Sequence, residues 1–158
     1  MKRLIVCLIA AGLAFAAAAQ PKALGLRLGG IADVTYQHYT VGNDFVEADL
    51  GFQYIGGENL LAKAVYDFSI CKPKISSKGT WNVYAGPGLS MGCGLAGPAT
   101  FRMGVVAQAG IEYTFWFPLQ ISIDLRPTFG FYTGGGHTGF DLSGMYGFIP
   151  ALSVRYSF

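Results

Sequence analysis

The chain has 158 residues, 52% of them hydrophobic and only 13% charged, with a formal net charge of +2. Soluble domains carry about 25% charged residues, so the composition argues against an ordinary wetted surface, and the length admits one domain at most. From Gln20 onward nine basic residues balance nine acidic ones, which excludes the basic footprint of a nucleic-acid binder.

The elements begin with a leader. Met1-Lys2-Arg3 is a short basic start, Leu4 to Phe15 is apolar, and small residues stand at Ala17 and Ala19. This is the pattern of a secretory signal peptide over 1–19, with cleavage expected after Ala19. The apolar stretch is shorter than the roughly 20 residues a membrane-spanning helix needs. Nothing after it is long and apolar enough for a helical span, so 20–158 is read as one all-β domain.

Strands follow one another. LGLRLGGIADVTY, 24–36, sets Gly25, Arg27, Gly29 and Asp33 against Leu24, Leu26, Leu28, Ala32 and Val34. Segments 45–54 and 61–70 alternate in the same way, with Glu47, Asp49, Lys63 and Asp67 on their polar faces. TWNVYAGPGLSM, 80–91, is a further strand. ATFRMGVVAQAGIEYTF, 99–115, places Arg102 and Glu112 opposite Phe101, Met103, Val105 and Ile111, and LQISIDLRPTFGF, 119–131, alternates without a fault and carries Asp124 and Arg126. A period of two over so many residues is a strand with unlike faces, not an amphipathic helix. Turn chemistry marks connections at 40–44, 56–59, 72–79, 92–98 and 132–139. Residues 140–158 must then supply one or two strands, ending in PALSVRYSF with Arg155 on its polar face.

This gives six strands before residue 132 and an expected total of eight, the even number of single-chain outer-membrane barrels. On that count the short connection at 115–118 falls at the end of the long outer loops, and the longer 92–98 at the end of the tight turns. The expected fold class is an antiparallel up-and-down β-barrel, transmembrane where its oily face is the outer one.

Alternation alone does not say which face meets water. The polar face is rich in Gly25, Gly29, Gly51, Gly104, Gly110 and Gly130, which a wet surface does not need but which a narrow eight-stranded lumen uses to admit long side chains. Those long side chains are five cations, Arg27, Lys63, Arg102, Arg126 and Arg155, and six anions, Asp33, Glu47, Asp49, Asp67, Glu112 and Asp124. Near-balance is what a filled interior requires, because a charge buried without a partner is costly. Tyr113, Phe115, Trp116 and Phe117 gather at one strand end, Tyr156 and Phe158 at another and Trp81 near a third, as an interfacial girdle would place them.

The leader, the alternating strands and the ending SVRYSF resemble small outer-membrane β-barrel proteins of Gram-negative bacteria, the eight-stranded outer-membrane protein A/X-like barrels. YAGPGLSMG, GIEYTF and PLQISIDLRP are similar to segments of a Bacteroidota group of them. The resemblance implies outer-membrane localisation and a lipid environment. It also implies that the terminal aromatic strand, with Tyr156 and Phe158, is read by the barrel-assembly machinery during insertion.

Signals for chemistry are weak. His38 and His137 stand in no arrangement that specifies a catalytic triad, and neither a metal-binding histidine spacing nor a zinc-type cysteine pair occurs. No cofactor is expected. Cys71 and Cys93 are expected to lie roughly 40 Å apart at about 3.3 Å per residue, too far for a disulfide. The expected function is a monomeric, non-enzymatic barrel with a filled polar lumen, structural or engaged in surface interaction. A lipid-modifying enzyme of the lipid A acyltransferase or deacylase kind, or a narrow pore, is the alternative.

Overall fold

The computed structural model describes residues 21–40, 42–54, 59–95, 99–142 and 148–158. The expected leader over 1–19 and its expected cleavage site lie outside the described residues. Among them ten strands form: β1 Lys22–Leu28, β2 Ile31–Tyr39, β3 Phe45–Gln53, β4 Asn59–Cys71, β5 Thr80–Gly94, β6 Thr100–Thr114, β7 Gln120–Leu125, β8 Thr128–Gly134, β9 His137–Leu142 and β10 Ala151–Ser157.

These ten segments are eight staves of a closed antiparallel barrel. β7 and β8 both pair with β6, at Ala109–Thr114 and at Thr100–Val106 respectively, so they are one stave interrupted at Arg126-Pro127. Proline has no N–H for the ladder, but the Pro127 carbonyl still accepts from the Ala107 N–H at 3.0 Å. β9 pairs with β8 and β10 with β7, which makes them the two halves of the last stave. β10 closes on β1, and β5 pairs with β6, so the ring has no gap in its order.

The register fixes the tilt. Leu26 leads through Val34, Leu50, Ala62 and Met91 to Met103 on β6. In the other direction it leads through Val154 and Ile121 to Tyr113 on the same strand. The two routes therefore meet ten residues apart, Met103 against Tyr113. With eight staves, this stagger tilts the strands by about 40° to the barrel axis and leaves an interior that side chains can fill.

The total of eight agrees with the expectation, but its composition differs. The single strand expected over 24–36 is two strands joined at Gly29-Gly30, with the Gly29 N–H donating to the Ile31 carbonyl at 3.1 Å. The connection expected over 132–139 is only Gly135-Gly136, whose φ values of 59° and 80° are those of a tight hairpin turn that suits glycine. One extra early strand moves every later connection to the other end. The facing ends of β2 and β3, of β4 and β5 and of β6 and β7 thus share an end with the start of β1 and the finish of β10, while those of β1 and β2, β3 and β4, β5 and β6 and β8 and β9 lie at the far end.

The barrel is oily outside and polar within. Leu26, Leu28 and Leu89 are 57%, 57% and 67% exposed, whereas Glu47, Asp67 and Arg155 are at most 1% exposed. No helix among the described residues is long and apolar enough to cross a membrane. The inner glycines do two jobs. A Cβ at Gly110 would stand 2.6 Å from the Tyr84 hydroxyl, and one at Gly51 would collide with the Asp33 carboxylate, so these two make room for long side chains as expected. At Gly25, Gly104 and Gly130 the added atom would instead strike the backbone of the next strand.

Candidate functional site

Alternation along each stave sends the odd-numbered side chains of β1 to β4 and the even-numbered ones of β5 to β7 into the lumen. Arg27, Asp33, Glu47, Asp49, Lys63, Asp67, Glu112, Asp124, Arg126 and Arg155 are all buried there. They fall into three groups with different chemistry.

The middle group centres on Glu47 of β3. Its Oε1 accepts from Arg126 Nη2 at 2.5 Å, Arg155 Nη2 at 2.8 Å and Thr35 Oγ1 at 3.1 Å. Its Oε2 accepts from Gln37 Nε2 at 2.9 Å and Gln108 Nε2 at 3.4 Å. Arg126 also grips Asp49, and Arg155 donates to Ser122 Oγ at 2.8 Å. Charge-assisted bonds of this kind are the stronger class of hydrogen bond, and the planar guanidinium fork reaches several acceptors at once.

Arg27 organises a second group. Nη1 donates to Asp33 Oδ2 at 2.9 Å and Nη2 to Asp124 Oδ1 at 2.6 Å, while Lys63 Nζ reaches Asp33 Oδ1 at 3.4 Å. Asp124 Oδ1 also lies 3.8 Å from Arg126 Nε and so links this group to the first.

The third group, nearer the end that carries both termini, is built without a cation. Glu112 accepts from Asn82 Nδ2 at 2.9 Å, Tyr39 OH at 3.1 Å and Gln120 Nε2 at 2.5 Å. No Lys or Arg lies within salt-bridge distance of it among the described residues. Between the groups the Tyr39, Phe45 and Tyr84 rings meet tilted and edge-on, with centroids 5.4 and 5.1 Å apart. Asp67, paired across the sheet with Phe45, finds no hydrogen-bond partner among the described residues for either carboxylate oxygen.

Two further placements stand apart from these groups. Arg102 is only half-buried and sits with its guanidinium 5.6 Å from the Tyr132 ring centroid, because it lies on β6 toward the far end. Lys22, in the cross-strand row of His38 and Phe158 on the even-numbered side of β1, is nonetheless 2% exposed. Gln108, Gln120 and Ser122 lie on the polar face that the alternation gave them, whereas the neutral partners Thr35, Gln37, Tyr39 and Asn82 were not singled out, although their parity on the strands was the available signal.

The remaining candidates do not converge on chemistry. His38, near the end of β2, pairs across the sheet with Lys22 and Val46, whereas His137 opens β9 at the far end. Cys71 pairs with Val83 and Cys93 with Leu60. That puts the thiols ten residues apart along β5, about 33 Å, and both are free and exposed. Among the described residues no group of His, Cys, Asp and Glu could hold a metal ion. Aromatic side chains do gather, Trp81, Tyr113, Phe115, Trp116 and Phe117 in successive ring contacts and Tyr156 against Phe158 at 6.2 Å. Phe158 and Lys22 exchange backbone hydrogen bonds at 2.8 and 3.0 Å where the last stave closes on the first. Comparison with protein-family models, with curated proteins and with solved structures finds no match.

Proposed function

We propose that this chain is an integral outer-membrane β-barrel protein of a Gram-negative bacterium, similar to the small eight-stranded barrels of Bacteroidota, with a filled lumen and no catalytic role. The observation that carries the reading is the inverted polarity. Leucines, phenylalanines and valines cover the outside of all eight staves, while four guanidinium or ammonium groups and six carboxylates lie buried inside. Hydrocarbon is the solvent in which that arrangement is favourable, since a closed barrel leaves no unpaired edge to lipid.

Its partners on this reading are outer-membrane lipids and, during insertion, the barrel-assembly machinery, which would engage the outward-facing Tyr156 and Phe158 on the closing strand. The mature protein is a monomer that binds no nucleic acid. The cross-linked ions between β1, β3, β4 and the β7 stave support a lumen closed to solutes, and the separation of His38 from His137 supports a non-enzymatic role. Membrane fractionation with heat-modifiable gel migration tests the location: the folded chain should partition with outer membranes and migrate faster unheated than boiled. Recovery in the soluble fraction, or migration unchanged by boiling, would overturn the reading. Steady single-channel currents in planar bilayers would favour a pore instead.

A further inference from the structure

The exposed charge of the barrel is confined to one place. Of the Lys, Arg, Asp and Glu residues whose side chains are described, only Lys72, Lys74 and Lys78 are exposed, and the others are buried or half-buried. All three stand in the connection 72–79 between β4 and β5, at the end that carries both termini, and no acidic residue accompanies them there. None makes an ion pair among the described residues. We propose that this connection binds the headgroups of anionic phospholipids, a reading that rests on the barrel lying in a membrane.

The aromatic girdle sets the depth of these charges. The Tyr113 hydroxyl donates to the Lys78 carbonyl, Lys78 Nζ lies 5.7 Å from the centroid of the Trp116 ring, and Trp81 packs against Tyr113 at 4.7 Å. Tryptophan and tyrosine settle at the boundary between hydrocarbon and water, and an ammonium over an indole face is held there by the ring quadrupole. The connection is therefore pinned at the level of the lipid headgroups. Ile75, 69% exposed beside Lys74, adds an apolar side chain suited to the boundary between headgroups and acyl chains. Lys72 Nζ donates to Asn43 Oδ1 at 2.6 Å, but an ammonium has three donors and a neutral amide leaves its charge unanswered. A headgroup phosphate supplies both the acceptor oxygens and the missing sign. A zwitterionic headgroup brings its own cation and so competes poorly, whereas an anionic surface attracts each nearby lysine by about fivefold in association.

The chain carries its own reporters, because its two tryptophans, Trp81 and Trp116, both stand in this part of the girdle. The full chain is folded into phosphatidylcholine bilayers that contain, at equal low mole fraction, either phosphatidylglycerol or phosphatidylcholine with brominated acyl chains, which quench tryptophan fluorescence on contact. The brominated phosphatidylglycerol is expected to quench more strongly, with an enrichment near the tryptophans of about fivefold for each lysine engaged. The preference should vanish in about 1 M NaCl, where charges are screened beyond about 3 Å. It should also vanish in the variant carrying Lys72→Gln, Lys74→Gln and Lys78→Gln, with heat-modifiable migration confirming that this variant folds. Equal quenching by the two lipids would overturn the proposal while leaving the membrane reading intact. A preference that survives in the folded triple variant would also overturn it, since other groups would then attract the lipid. Quenching by neither lipid would overturn the proposal and the membrane reading together.

Discussion

Glu47 and Glu112 are both buried in the same lumen, on strands β3 and β6, yet the barrel compensates them differently. Glu47 receives two guanidinium forks and three neutral donors, whereas Glu112 receives three neutral donors alone. The middle of the barrel is thus tied by ions that cross it, from β3 to β10 and to the residue that follows β7. The end that carries the termini is tied by local amides and a phenol. The contrast separates a middle tied by ions from an end tied by neutral hydrogen bonds.

Removing a guanidinium from the middle should have the largest effect. Arg126→Ala strands Glu47 and Asp49 together, and breaking a buried pair in this way costs about 3–5 kcal/mol. Urea titration of the chain refolded in bilayers would measure it, and a loss below about 1 kcal/mol, the level of an exposed pair, would contradict the plug. Next comes the outer face: Leu26→Arg or Leu50→Arg should cost about 2–4 kcal/mol near the bilayer midplane. The same change on a wetted surface would fall within about 0.5 kcal/mol.

Gly51→Val should cost about 1–3 kcal/mol by overpacking, since the added carbons meet the Asp33 carboxylate that Arg27 and Lys63 hold. Its measure is the shift in urea midpoint relative to the unaltered chain. The smallest effect is the one that sharpens the opening contrast. Glu112→Gln should change stability by about 1 kcal/mol or less, because neutral partners with rotatable amides can re-pair, while Glu47→Gln should lose about 1.5–3 kcal/mol with its charge-assisted bonds. Equal losses at the two sites would mean that the guanidiniums add nothing.

Face was legible in the sequence; height and turns were less so. Parity assigned Arg27, Asp33, Glu47, Asp49, Lys63, Asp67, Glu112, Asp124, Arg126 and Arg155 to the polar face because a strand has a period of two whatever its neighbours do. Arg102 has the same parity, but its level along the axis depends on the stagger of the whole ring, which no single strand encodes. The turn at Gly29-Gly30 was masked by arithmetic of the same kind. Leu28 pairs with Ala32, so the strand leaving the turn keeps the phase of the one entering it, and the even-numbered residues stay outside on both. The glycine pair and Ile31 on the polar side were the visible clues. Neutral inner residues such as Gln108 and Gln120 have the same parity, but which carboxylate each meets depends on the ring's stagger too. Lys22 is buried despite its outward parity, because burial at a strand end depends on what closes over it.

The most direct measurement of the central claim places nitroxide labels at outward positions 26, 50 and 154 and inward position 122 of the folded chain in bilayers. Saturation by dissolved oxygen is then compared with saturation by a water-soluble paramagnetic chelate. The account predicts that labels at 26, 50 and 154 respond to oxygen and are shielded from the chelate, with the label at 122 shielded from both. Outward labels relaxed by the chelate as readily as a free label in water would contradict it.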